Sequence, residues 1–257
     1  MPLVLAAGSM LDHSPSVMID AAAAAGFDGV GLRLSSPVTD AHGVADVTAT
    51  KHQAADRGIV IHDVEVYRIG SGEDPSPLVE RAAAVGAAAL LVVSDSDSRA
   101  ETVDGIGRVV QIARPHGLRV AVEYMAWTDP SNPTDAVSIA LDTGSDVVVD
   151  LLHHVRVGAG ARELEAVVSS GTLAWVQICD GPAHAPADGD LIHEARHGRL
   201  VPGAGDLPLD ELLACVPDDV VISVEVQSTE LARIDPGDRA RLLSETSRAV
   251  IDRVRRH

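Results

Sequence analysis

Short apolar runs alternate along this chain with stretches whose apolar positions recur at helical spacing. In SPSVMIDAAAAAGFDGVGLRL (14–34), Ser14 suits a helix N-cap, Pro15 the first helical position and Gly26 a helix end. GVGLRL then reads as a strand. The same grammar returns in VERAAAVGAAALLVVSDSD (79–97), VVQIARPHGLRVAVEYMAW (109–127), VSIALDTGSDVVVDLLHH (137–154), LEAVVSSGTLAWVQICDG (164–181) and LPLDELLACVPDDVVISVEVQS (207–228). PLVLAAGS (2–9) and ADRGIVIHDVEVYRI (55–69) add two strands, and a last helix falls near 238–256. The pattern predicts about eight strands alternating with about eight helices. The strands are apolar throughout rather than alternating, as expected where both faces of a parallel sheet are buried.

Eight βα units in 257 residues predict an α/β fold, a closed (β/α)8 TIM barrel forming one domain over residues 1–257. An open doubly wound sheet is the structural alternative, but AAGSMLDHSP after the first strand carries no G-x-G-x-x-G phosphate loop. One long irregular stretch, 180–206, is rich in Gly, Pro, His and Arg. Loops of that length in compact domains are often functional lids. The plainer reading is a loose surface insertion.

Strand ends carry the chemistry in such a barrel. The second run ends at Arg33, the third offers His62 and Glu65, and the fourth offers Ser94 and Asp95. The last four runs are VAVE, VVVD, AWVQ and ISVE, ending at Glu123, Asp150, Gln177 and Glu225. On consecutive strands of a closed barrel these converge. Three carboxylates at one point repel each other, and a divalent cation relieves that cost, so the set reads as a metal site. The donors are all oxygen, which favours Mn²⁺ or Mg²⁺ over zinc. The structural alternative is that each acid simply meets solvent where its strand emerges.

Apolar residues make up 46% of the chain, enough for a full core. The net charge of −18 disfavours nucleic acid and anionic lipid as partners and favours a cation. Two cysteines, Cys179 and Cys215, suggest neither a disulfide framework nor a Cys-based zinc site. The start, MPLVLAAGSM, lacks the features of a signal peptide, and no segment has the length of a membrane span, so a cytoplasmic protein is expected. The sequence leaves a homo-oligomer open.

At VEYMAW, VVVDLLHHVRVG, WVQICDG, GRLVPGAGDLPL and ISVEVQS the sequence resembles the sugar phosphate isomerase/epimerase superfamily, the xylose isomerase-like TIM barrels, over almost its whole length. The resemblance implies a metal held by Glu123, Asp150, Gln177 and Glu225. The third ligand is often His in ketose epimerases; Gln177 is closer to the hydroxypyruvate isomerase pattern. It further implies a small polar carbonyl substrate and an isomerase or epimerase passing through an enediolate, with Glu123 and Glu225 exchanging the proton. His153 and Arg199 are expected to hold substrate oxygens. His62, Glu65 and Arg33 are expected to line the mouth, with Trp127 or Tyr124 as a wall. The residues have plainer alternatives: a satisfied strand-end histidine for His62, pairing with Arg68 or Arg33 for Glu65, packing for the aromatics, a turn role for Asp180. His154 is expected to point away. A dehydratase acting on an inosose or dehydroshikimate would share the first step. An apurinic endonuclease-like phosphodiesterase would need more His ligands and a DNA-binding surface, and a metal-free binding barrel is the remaining alternative.

Overall fold

The computed structural model describes residues 1–34, 46–187 and 189–256. Its eight strands are β1 (Leu3–Leu5), β2 (Gly29–Arg33), β3 (Val60–Ile69), β4 (Ala89–Ser94), β5 (Arg119–Glu123), β6 (Asp146–Asp150), β7 (Leu173–Ile178) and β8 (Ile222–Val224). Each pairs in parallel with the next, and β1 closes the barrel on β8 through Leu3↔Ile222 and Leu5↔Val224. The (β/α)8 barrel predicted from the alternating pattern is therefore present.

The helices are α1 (Pro15–Ala24), α2 (Val47–Asp56), α3 (Ser76–Val85), α4 (Arg99–Ala113), α5 (Pro133–Thr143), α6 (Leu151–Arg156), α7 (Ala161–Ser169), α8 (Leu191–His197), α9 (Leu209–Ala214) and α10 (Pro236–Arg255). Ser14 caps α1 as expected, its Oγ accepting from Val17 N at 3.4 Å, with Pro15 at the first position. The crossovers after β6 and β7 each hold two helices, so the simple one-strand, one-helix expectation undercounts there. No helix among the described residues is long and apolar enough to cross a membrane.

Alternate residues of β4 fall in two separate apolar clusters. Leu90 and Val92 belong to the large layer between strands and helices. Ala89, Leu91 and Val93 join Ala121, Met125, Val148 and Trp175 in a smaller cluster inside the barrel. This parity positions the site. Glu123, Asp150 and Gln177 lie two residues beyond Ala121, Val148 and Trp175, so the pleat turns them toward the barrel axis. Gln177 is the penultimate residue of β7, not its last, and is in register with Asp150 on one side and Ser223 on the other.

The described residues of the 180–206 stretch, 180–187 and 189–206, are tied to the barrel rather than loose. Asp180 accepts backbone hydrogen bonds from Gly181 (2.8 Å), Gly203 (2.9 Å) and Leu207 (3.1 Å). Asp180 also bridges Leu200, and Gly198 bridges Ser228. Between these ties runs α8, whose buried Glu194 receives two hydrogen bonds from Arg156, at 2.7 and 2.6 Å.

Candidate active site

Burial is the first fact about the strand-end acids. Asp150 is 1% exposed, Glu225 5% and Glu123 7%. Asp150 closes β6 and caps α6: its Oδ1 accepts from Leu152 N (2.8 Å) and His153 N (3.1 Å). That leaves Oδ2 to face the axis, where Arg199 Nη1 meets it at 2.5 Å. The same nitrogen lies 3.3 Å from Glu225 Oε2 and donates to the Glu225 carbonyl at 3.1 Å. Arg199 Nε donates to Ala195 O at 2.7 Å, which ties the guanidinium to α8.

His153 follows Asp150 by one helical turn. Its Nε2 is 3.7 Å from Glu123 Oε1 and 4.0 Å from Asp150 Oδ2. Atoms of Glu123, Asp150 and His153 that could ligate an ion all lie within 4.8 Å of one another. His153, expected to hold substrate oxygens, also stands within reach of an ion shared with Glu123 and Asp150. Trp127 stands edge-on to His153, with ring centroids 5.2 Å apart.

The electrostatics follow from buried acids gathered around Arg199, with the Arg33–Glu65 pair also acting on Glu225. Burial, then Glu225 and Asp150, raise the Glu123 carboxyl well above its ordinary range. Burial also dominates at Glu225, pushed up to about 8 despite Arg199. At Asp150 burial pulls upward, but Arg199 and the hydrogen bonds outweigh it and hold the carboxyl below its usual value. Burial lowers His153 to about 4, so its imidazole is neutral at pH 7. Gln177 is 2% exposed, and among the described residues its Oε1 has no hydrogen-bond partner. A buried amide oxygen in that state is costly unless a ligand satisfies it.

A cavity of about 540 Å³ opens above these residues. Glu123, Glu225, His153, Arg199, Trp127, Arg33 and Glu65 all line it. Arg33 Nη2 holds Glu65 Oε2 at 2.8 Å, the pairing the sequence offered as an alternative. His62, expected to line the mouth, lies elsewhere. It is not among the lining residues; its Nδ1 meets Asp63 Oδ1 at 2.9 Å, and its ring packs edge-on against Trp175. His62 faces the barrel interior beside Trp175, below the mouth, and lies at a bulge where β2 pairs Val30 with Ile61 and then Gly31 with Asp63. His154 points away as expected, held between the Tyr124 hydroxyl (2.5 Å) and Gly160 O (2.9 Å).

Two residues escaped the sequence reading. Gln227 lines the cavity and donates from Nε2 to Glu225 Oε1 at 3.3 Å. Gly8 lies so close to Glu225 that a Cβ there would collide with the carboxylate and stand 2.8 Å from Cγ. Gly8 lies three residues past β1, in a short 3-10 turn, and no local pattern marks its approach to Glu225.

The family model described as xylose isomerase-like TIM barrel matches residues 19–249. The chain belongs to this family. Among curated proteins, this xylose isomerase-like barrel is similar to an inosose isomerase of Bacillus licheniformis, with 26% identity over 165 residues. That match covers 61% of this chain and 57% of the relative, so it spans little more than half of the relative's length. Among solved structures, it resembles an IOLI protein with a binding zinc atom (TM-score 0.85, 16% identity, 99% of each chain). It also resembles a xylose isomerase-like TIM barrel/4-hydroxyphenylpyruvate dioxygenase fusion protein (TM-score 0.83, 20% identity), covering 99% of this chain and 43% of that one. At these identities the two structures speak for the fold.

Proposed function

We propose that this chain is a divalent-metal-dependent isomerase or epimerase of a small polyhydroxy carbonyl compound, a keto-sugar or keto-cyclitol. The observation that carries the reading is the charge balance at the barrel mouth. Glu123, Asp150 and Glu225 are buried together, and Arg199 is the cation that reaches two of them. The unsatisfied Gln177 oxygen fits the same ion. Glu123, Asp150, Gln177 and Glu225 would hold it, an oxygen set that favours Mn²⁺ or Mg²⁺. When bound, the ion supplies a Lewis acid that polarises a carbonyl and acidifies the neighbouring C–H.

The chain's own groups do the rest. Of Glu123 and Glu225, one removes the proton and the other returns it, on another carbon or the opposite face. Neutral His153 and charged Arg199 hold substrate oxygens, and Trp127 forms an apolar wall beside them. Arg33 and Glu65, paired at the rim, face the part of the substrate that does not react. The similarity to an inosose isomerase supports isomerisation.

The test is a proton-exchange screen in D₂O, with Mn²⁺ added, against keto-sugars and keto-inositols. Deuterium is expected at the carbon beside the carbonyl. Glu225→Gln is expected to slow exchange by at least roughly 100-fold, the usual loss with a general acid or base. Full exchange in that variant would remove Glu225 from the catalytic role. A product absorbing in the enone region would assign elimination, the chemistry of a dehydratase, instead.

A further inference from the structure

We propose that His193 and His197 form a second metal site, separate from the strand-end carboxylates, that takes an imidazole-preferring divalent ion such as Zn²⁺, Cu²⁺ or Ni²⁺ at the cavity mouth. The two residues are one turn apart on α8, so they share a helix face. Their ring centroids are 5.0 Å apart, with planes tilted by 46°. Metal–nitrogen bonds of 2.0–2.1 Å and a tetrahedral angle place two chelating imidazole centroids about 5 Å apart. The rings therefore already stand at chelating separation.

Three further observations support the pair. Among the described residues neither imidazole makes a side-chain hydrogen bond, so each nitrogen is available to a ligand. The backbone beneath them is fixed at both ends. Asp190 caps the helix by accepting from His193 N at 2.8 Å, and His197 O accepts from both Thr229 N and Thr229 Oγ1 at 3.2 Å. Rigid support of this kind reduces the ordering cost of binding. Finally, the net charge of −18 draws cations to the molecule.

The donor chemistry separates this site from the first. Two imidazoles select zinc, copper or nickel, whereas carboxylates and an amide oxygen select magnesium or manganese. His197 lines the cavity, so an ion on the pair has its remaining positions near the entrance. Because Ala195 O holds Arg199 Nε, an ion that stiffens α8 also stiffens the guanidinium that pairs with Asp150 and Glu225.

The experiment is Cu²⁺ titration of the full chain at pH 7.5, followed by electron paramagnetic resonance. The wild type, Asp150→Asn and His193→Gln are compared, with circular dichroism to confirm folding. Superhyperfine splitting from two nitrogens is expected in the wild type, retained in Asp150→Asn and lost in His193→Gln, whose Cu²⁺ affinity at that site falls at least tenfold. Zn²⁺ stoichiometry gives a second readout: the wild type binds one more ion than His193→Gln. Two-nitrogen splitting that survives His193→Gln, an unchanged zinc count, or no copper bound to the wild type would overturn the proposal. Its failure leaves the strand-end reading standing, because that site does not use His193.

Discussion

Glu123, Asp150 and Gln177 take their direction from strand parity, and Glu225 takes its room from a glycine at the other end of the chain. Gly8→Ala is expected to displace the Glu225 carboxylate and weaken Mn²⁺ binding at least roughly tenfold, the cost of disturbing a ligand's support. Isothermal titration of the variant checks this, and unchanged affinity would refute it. The raised carboxyls give a second prediction, for chelator-treated protein. Glu225 has an ordinary value of 4.5 and sits at about 8 in the fold, so its folded form holds the proton more tightly. The stability this contributes is fully present below about pH 4.5 and is lost as pH rises through about 8. Manganese favours the ionised form, so the rise in Tm on adding Mn²⁺ should be larger at pH 8.5 than at pH 6. A rise that is equal or smaller at pH 8.5 would count against the shared-ion account. The acids themselves were legible, because an apolar run ending in an oxygen donor is a local pattern. The Gly8–Glu225 approach and the pairing of Arg199 with Asp150 join residues far apart in sequence, and no local window contains them.

The elements that were easy to read have strong internal signals: Ser14-Pro15 at the start of α1, and the Val-rich runs of β5 and β6. The harder ones are short or irregular. Helix α8 has seven residues, too few to be stable alone, and it exists because Arg156, Asp190 and Thr229 hold it. The bulge in β3 shifts strand parity at His62, which no alternation rule anticipates. The 180–206 stretch was legible as a long segment near the mouth, but not as an ordered one. Its order depends on the buried Asp180 carboxylate and its three backbone donors. Asp180→Ala is expected to lower stability by roughly 3 kcal/mol, since buried amides lose their acceptor. Urea denaturation measures this, and a change under about 0.5 kcal/mol, typical of an unimportant surface position, would contradict it.

At the scale of the whole molecule, the eightfold repeat was readable because each unit is one βα step, and closure, which strand number alone leaves open to a doubly wound sheet, is seen in the pairing of β1 with β8. The barrel brings strands β5 to β8 side by side, so four separate local patterns fall at neighbouring positions of one sheet, and Glu123 and Asp150 come within ligand distance of each other and of His153. The net charge of −18 adds a long-range attraction for cations that salt screens. The most direct measurement is a Mn²⁺ titration followed by electron paramagnetic resonance on wild type, Asp150→Asn and Glu123→Gln. One tight Mn²⁺ per chain is expected in the wild type, weakened by more than about 100-fold in either variant, since losing a ligand exceeds the cost of losing its support. Absence of a tight Mn²⁺ in the wild type, or equal binding in all three proteins, would contradict a cation held at the barrel mouth.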